Sequence, residues 1–371
     1  MGVQFSTMAQ RVAYGHVGVM PSFIPVEDSR ADAVAQRAMY DFLTRTNQII
    51  CETPESIGLP ATPDDAYPSF AMQNSRPELI RALKELKKKL DAFYTLLIDI
   101  GLKGGIEGEQ LIVQRADITI NKRTIDKLVA IGVQTTLTPG AAILSCPGYP
   151  GIFPAWKLLA EVSQKAAWPG LVVYPESRSY AAVAFSHALF DLNAPCSLGV
   201  FRQLLGDDAI LDRLIAAFER LGYSYMDIRE SALSCDWYKR YGKKETVLKW
   251  NWAEREHGGL SVTHSYANEP PFEFGLRIPF YKDLLARFGE MDEKLQAFVT
   301  TTGKKCDNCG YCVQTDKTGS RPKQLTVVKL SGKPFAMCHL FPGFQYRWNA
   351  MDEGRAEDVI RFLEFCEEVL G

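Results

Sequence analysis

The chain has 371 residues, 46% of them hydrophobic and 23% charged, with a formal net charge of −2 and an isoelectric point near 6.3. That length and composition predict two or three ordinary globular domains, and the charge excludes nucleic-acid binding driven by bulk positive charge. No window approaches the ~20 apolar residues of a membrane span, and the N-terminus lacks the charged-then-apolar pattern of a secretory signal. Nine cysteines in such a chain point to the cytosol and to metal ligands or free thiols.

Residues 1–75 read as an N-terminal arm with one helix, punctuated by Pro21, Pro25, Pro54, Pro60, Pro63 and Pro68. The helix is expected from about Arg30 to Gln48. Ala31, Val34, Ala35, Ala38 and Phe42 would form its apolar face, with Met39 and Leu43 at the edge. The rest is expected as extended chain packed on something else, because Phe23, Ile24, Ile49 and Ile50 are too apolar for a disordered tail.

Residues 76–175 read as an α+β unit. A helix should start at Pro77, a proline permitted at the first helical position, and run to about Gly101. Leu79, Leu83, Leu86, Leu90, Phe93, Leu97 and Ile100 make its stripe. Lys84, Lys87, Lys88 and Lys89 cover the other side and read as a solvated face, with phosphate contact as the sharper alternative. Strands follow at 110–114 and 118–120, then a helix from Lys122 to Ile131, capped by Asn121 and stopped by Gly132. Helix, hairpin and short helix could make a winged-helix fragment. A packing unit is preferred, because the short helix offers only Lys122, Arg123 and Lys127, with no matching basic stripe elsewhere. Strands at 133–137 and 141–145, a rigid loop at Cys146 to Gly151, a helix from Pro154 to Ala166 with Trp156 inward, and a strand at 171–174 complete the unit. Cys146 is read as a buried or half-buried loop thiol, not a nucleophile.

Residues 176–300 read as a second α+β unit with an aromatic antiparallel sheet. A helix at 181–190 carries His187, read as a core histidine, and an amphipathic helix spans 207–221. Strands are expected at 223–228, 245–252, 259–266 and 272–278, with 254–259 as a hairpin loop. Trp237, Tyr238, Trp250, Trp252 and Phe274 could line a pocket, or simply build a core. His257 and His264, with Glu254 and Glu256 nearby, are the one group that would support a hydrolytic metal site, although their spacing matches no ligand signature. Helices at 281–288 and 291–300 follow, broken at Gly289.

Residues 301–371 hold the motif that asks for a cofactor. Cys306, Cys309 and Cys312 stand three apart, and after 25 intervening residues come Cys338 and His339. Two thiolates of a Cys-x2-Cys turn converge on one ion, Gly310 permits the tight backbone, and zinc takes four tetrahedral sulfur or nitrogen ligands. Cys306, Cys309, Cys312 and Cys338 supply four, with His339 as an alternative ligand. A strand at 325–330, a turn at 331–333 and a return over 334–337 would bring the fourth ligand back, making a small zinc-ribbon-like module. A [4Fe–4S] cluster on the same four cysteines is the rival, and unligated thiols are the remaining option. Lys304, Lys305, Lys317, Arg321, Lys323, Lys329 and Lys333 surround the cluster. They would balance thiolate charge or meet a phosphate backbone. The run Leu340 to Trp348 should pack beneath the module. A last helix over 355–370 puts Cys366 in the core.

The segments Lys305 to Pro322 and Cys338 to Trp348, together with "LLIDIGLKG" at the end of the first long helix, resemble an uncharacterised family of bacterial cytosolic proteins. The likeness covers the C-terminal fifth well and the rest loosely. It implies a shared cysteine module and no established activity. A Cys-Pro step in that family, where Cys338-His339 stands here, would put the fourth ligand and the metal's identity in question.

The sequence holds no phosphate loop, dinucleotide fingerprint, nucleophile elbow or paired-carboxylate motif. The expectation is therefore a cytosolic protein that binds a small molecule or a partner, with a structural zinc site. An iron–sulfur redox protein, a nucleic-acid binder using the basic skirt of the module, and a hydrolase at His257 and His264 follow in that order.

Overall fold

The computed structural model describes residues 5–64, 77–165, 184–206, 208–229, 233–240, 257–264, 272–278, 281–303, 326–330, 332–337, 344–348 and 351–370. They form helices and antiparallel sheets in two compact units: residues 1–204, 227–234 and 264–271 in one, the remainder in the other. The α+β class expected from the sequence holds. No helix among the described residues is long and apolar enough to cross a membrane.

The first unit opens with α1 (Met8–Val17), in a stretch expected to be extended. Its signal is Thr7-x-x-Gln10: the Thr7 side chain accepts from the Gln10 amide, and the Gln10 side chain returns to the Thr7 amide. Met8, Ala9, Val12 and Ala13 are fully buried, so this segment belongs to the main core. Helix α2 (Ala33–Glu52) starts at Asp32, whose carboxylate caps Ala35. Its buried face is rotated from the expected one. Met39, Leu43, Thr46, Asn47 and Ile50 join Ala35 and Phe42 inside, while Val34 is 75% exposed. Counting only apolar residues hid the true face, because Gln36, Thr46 and Asn47 are polar and buried. Gln36 fits there by bracing the preceding loop: its amide donates to the carbonyls of Val26 and Ala31, both at 2.8 Å, and its oxygen accepts from the Val26 amide.

Helix α3 (Pro77–Lys103) buries Leu83, Leu86, Leu90, Phe93, Leu97 and Ile100, the expected stripe. Strands β1 (Gly105–Glu107) and β2 (Gln110–Gln114) form a hairpin. Residues 118–120, expected as a strand, are not one; β2 pairs instead with the far strand β4 (Ala141–Ser145), and β4 with β3 (Gln134–Leu137). A local reading could not see that long-range pairing. The sheet order is β1-β2-β4-β3, with Leu111, Val113, Ala142 and Leu144 turned to the core. Helix α4 (Lys122–Ala130) has the expected Asn121 cap, bonded to the Thr124 amide, and ends at Gly132 with φ 87°.

Helix α5 (Ile152–Lys165) lies against α3. Trp156 is fully buried, its indole donating to the Leu97 carbonyl at 2.8 Å, and its ring sits 5.2 Å from Phe42. The helices meet at Gly101, where a Cβ would stand 2.7 Å from both Ala160 Cβ and Trp156 Cδ1. Lys157 donates to the carbonyls of Gly101 and Gly104, closing the end of α3. Helix α6 (Cys196–Leu205) completes the unit.

The second unit carries α7 (Asp208–Arg220) and a five-stranded sheet of order β11-β8-β7-β6-β5. The strands are β5 (Ser224–Arg229), β6 (Leu233–Arg240), β7 (His257–His264), β8 (Phe272–Ile278) and β11 (Phe344–Trp348). Two of these were not expected. β6 falls in a run to which no strand was assigned, although its Trp237 and Tyr238 were read as pocket-lining or core aromatics, and β11 is the stretch expected merely to pack beneath the cysteine module. It joins the sheet edge in antiparallel register, Phe344 opposite Ile278 and Trp348 opposite Phe274. The expected strand at 245–252 lies outside the described residues, as does the one at 171–174. Helices α8 (Tyr281–Ala286), α9 (Glu293–Thr302) and α10 (Glu353–Leu370) follow. Trp237 stacks on Phe218 at 5.1 Å, and Phe298 meets Phe362 at 5.3 Å, so large aromatics fill this core. Helix α10 buries Val359, Phe362, Leu363 and Cys366. Ion pairs tie it to its neighbours: Arg220–Glu364 at 2.6 Å, Arg287–Glu368 at 2.7 Å, and the pairs Arg213–Glu357, Lys239–Glu367 and Arg361–Asp292.

Candidate metal centre

Cys306, Cys309, Cys312, Cys338 and His339 lie outside the described residues, as does the basic skirt apart from Lys329 and Lys333. The elements that bracket them are described. Helix α9 delivers the chain to Gly303. Strands β9 (Thr326–Leu330) and β10 (Lys333–Met337) then form an antiparallel hairpin turning at Gly332, whose φ of 76° suits a residue without a side chain. This is the hairpin expected from the sequence. Leu330 faces Lys333 and Thr326 faces Met337. The register therefore ends with Met337 opposite Thr326. Pro334 sits opposite Lys329, a proline in a strand that pairs on one side among the described residues. Phe335 is buried, while Lys333 and Pro334 are exposed. Among the described residues the pair joins no other sheet, and an isolated two-stranded hairpin is marginal in water.

The histidine site expected as the hydrolytic alternative does not form. His257 is the first residue of β7 and His264 the last. Seven strand residues at ~3.3 Å each hold their Cα atoms about 23 Å apart. His257 also lies in the strand, not in the expected hairpin loop. Among the described residues no group of three or more His, Cys, Asp or Glu side chains could hold a metal.

The other thiols are shut away. Burial pushes Cys51 and Cys146 up to about 12 and raises Cys366 well above the ordinary thiol range. At neutral pH they are protonated, poor nucleophiles and poor ligands. Cys146 and Cys366 are thus the buried thiols the sequence predicted. Asp236 on β6 is pushed up to about 6 by burial.

Sequence reading missed a polar cluster inside the first unit. The Asn47 amide donates to the Ser186 carbonyl at 2.7 Å, and the Tyr94 hydroxyl donates to Asn47 Oδ1 at 2.5 Å. Ser186 Oγ lies 3.4 Å from His187 Nδ1, and all four residues are buried. His187 is the core histidine expected, but the helix around it stops at Ser186, and Ala188 takes φ 49°, a strained value for a residue with a Cβ. Asp227, distant in sequence, accepts from the Cys196 and Ser197 amides at 3.1 and 2.9 Å, capping α6. The available signal was an asparagine at core spacing on α2, which reads as surface by residue type alone.

No protein-family model, curated protein or solved structure matches the chain.

Proposed function

We propose that this is a cytosolic binding protein whose C-terminal part is a structural zinc module held by Cys306, Cys309, Cys312 and Cys338, with His339 as the alternative fourth ligand. The observation that supports it best is the β9–β10 hairpin. Among the described residues it is a pair of short strands that joins no other sheet, of a size that a staple would stabilise, and its register ends with Met337 opposite Thr326. Four thiolates with no further donor close a tetrahedral site, so the ion would act through folding energy and not through chemistry. The resemblance of Lys305–Pro322 and Cys338–Trp348 to a bacterial cytosolic family agrees with such a module. A binding role is favoured over catalysis because Cys51 and Cys146 are held protonated and the two histidines of β7 are kept apart.

Cys309→Ser and Cys338→Ser test this directly. Each should lose the bound zinc and expose the amides of 326–337 to fast hydrogen exchange, while Cys146→Ser leaves both unchanged. Full zinc content in both ligand variants would refute the assignment.

A further inference from the structure

We draw no further inference here: the strongest candidate, the buried side-chain cluster of Asn47 on α2, Tyr94 on α3 and the Ser186–His187 turn, carries nothing beyond the packing already described, because it is held together by hydrogen bonds among its own members and nothing in the structure shows a ligand that it would take.

Discussion

Replacing Gly101 with alanine tests the packing of the first unit, because two effects of known sign oppose each other there. On an exposed helix the change would stabilise by ~1 kcal/mol, since alanine is the better helix former. Here the added Cβ would meet Ala160 Cβ and Trp156 Cδ1 at 2.7 Å and the Trp156 carbonyl oxygen at 3.1 Å. Ordinary contact begins near 3.5 Å, so α3 and α5 must separate by most of an ångström. They resist, because the Trp156 indole is bonded to the Leu97 carbonyl and Lys157 to the Gly101 carbonyl. Overpacking of this kind costs about 1–3 kcal/mol, and the backbone contact places it at the upper end. Gly101→Ala should therefore destabilise by about 2 kcal/mol once the helix preference is offset. Urea titration followed by circular dichroism, with hydrogen exchange on peptides from α3 and α5, measures it. A variant as stable as wild type, or more stable, would show that the two helices are not in close contact at this residue.

Other perturbations follow from the same geometry. Asp236 has its folded-state pKa raised from 3.8 to about 6, so folding holds a proton the unfolded chain releases. Stability is greatest below the unfolded value and falls as pH rises from about 4 to 6, by about 3 kcal/mol for this group. Asp236→Asn should flatten that part of the pH–stability profile, and an unchanged profile would contradict the burial of the carboxyl. Tyr94→Phe removes the donor to Asn47 inside the core and should cost about 1–2 kcal/mol in a denaturant melt. Arg220→Ala breaks a pair with Glu364 whose side chains are 57% and 43% exposed. It should change stability by less than ~1 kcal/mol, and less again in high salt.

The sequence was most informative where structure is decided locally. Helix α3 and its stripe, α4 between Asn121 and Gly132, strands β2 and β4, and the β9–β10 hairpin all carry their signals within a few residues. It was least informative where distant residues decide. The pairing of β2 with β4 and the placement of β11 beside β8 depend on contacts across 27 and 66 or more positions, which no window contains. The face of α2 was misjudged because Gln36, Thr46 and Asn47 look like surface residues until their partners are known. Helix α1 was legible and overlooked, since Thr7 and Gln10 form a capping box in plain sequence. The cysteine motif remains the clearest chemical statement in the sequence, and its hairpin is the part of that expectation the fold describes.

The central claim is that the chain holds a closed structural metal site. It is tested most directly by purifying the protein without oxygen and quantifying zinc, iron and acid-labile sulfide per chain. The account predicts about one zinc, no iron and no visible absorbance. Roughly four iron and four sulfide, with a broad band in the visible, would replace it with a [4Fe–4S] redox protein, and a folded chain with neither metal would contradict it outright.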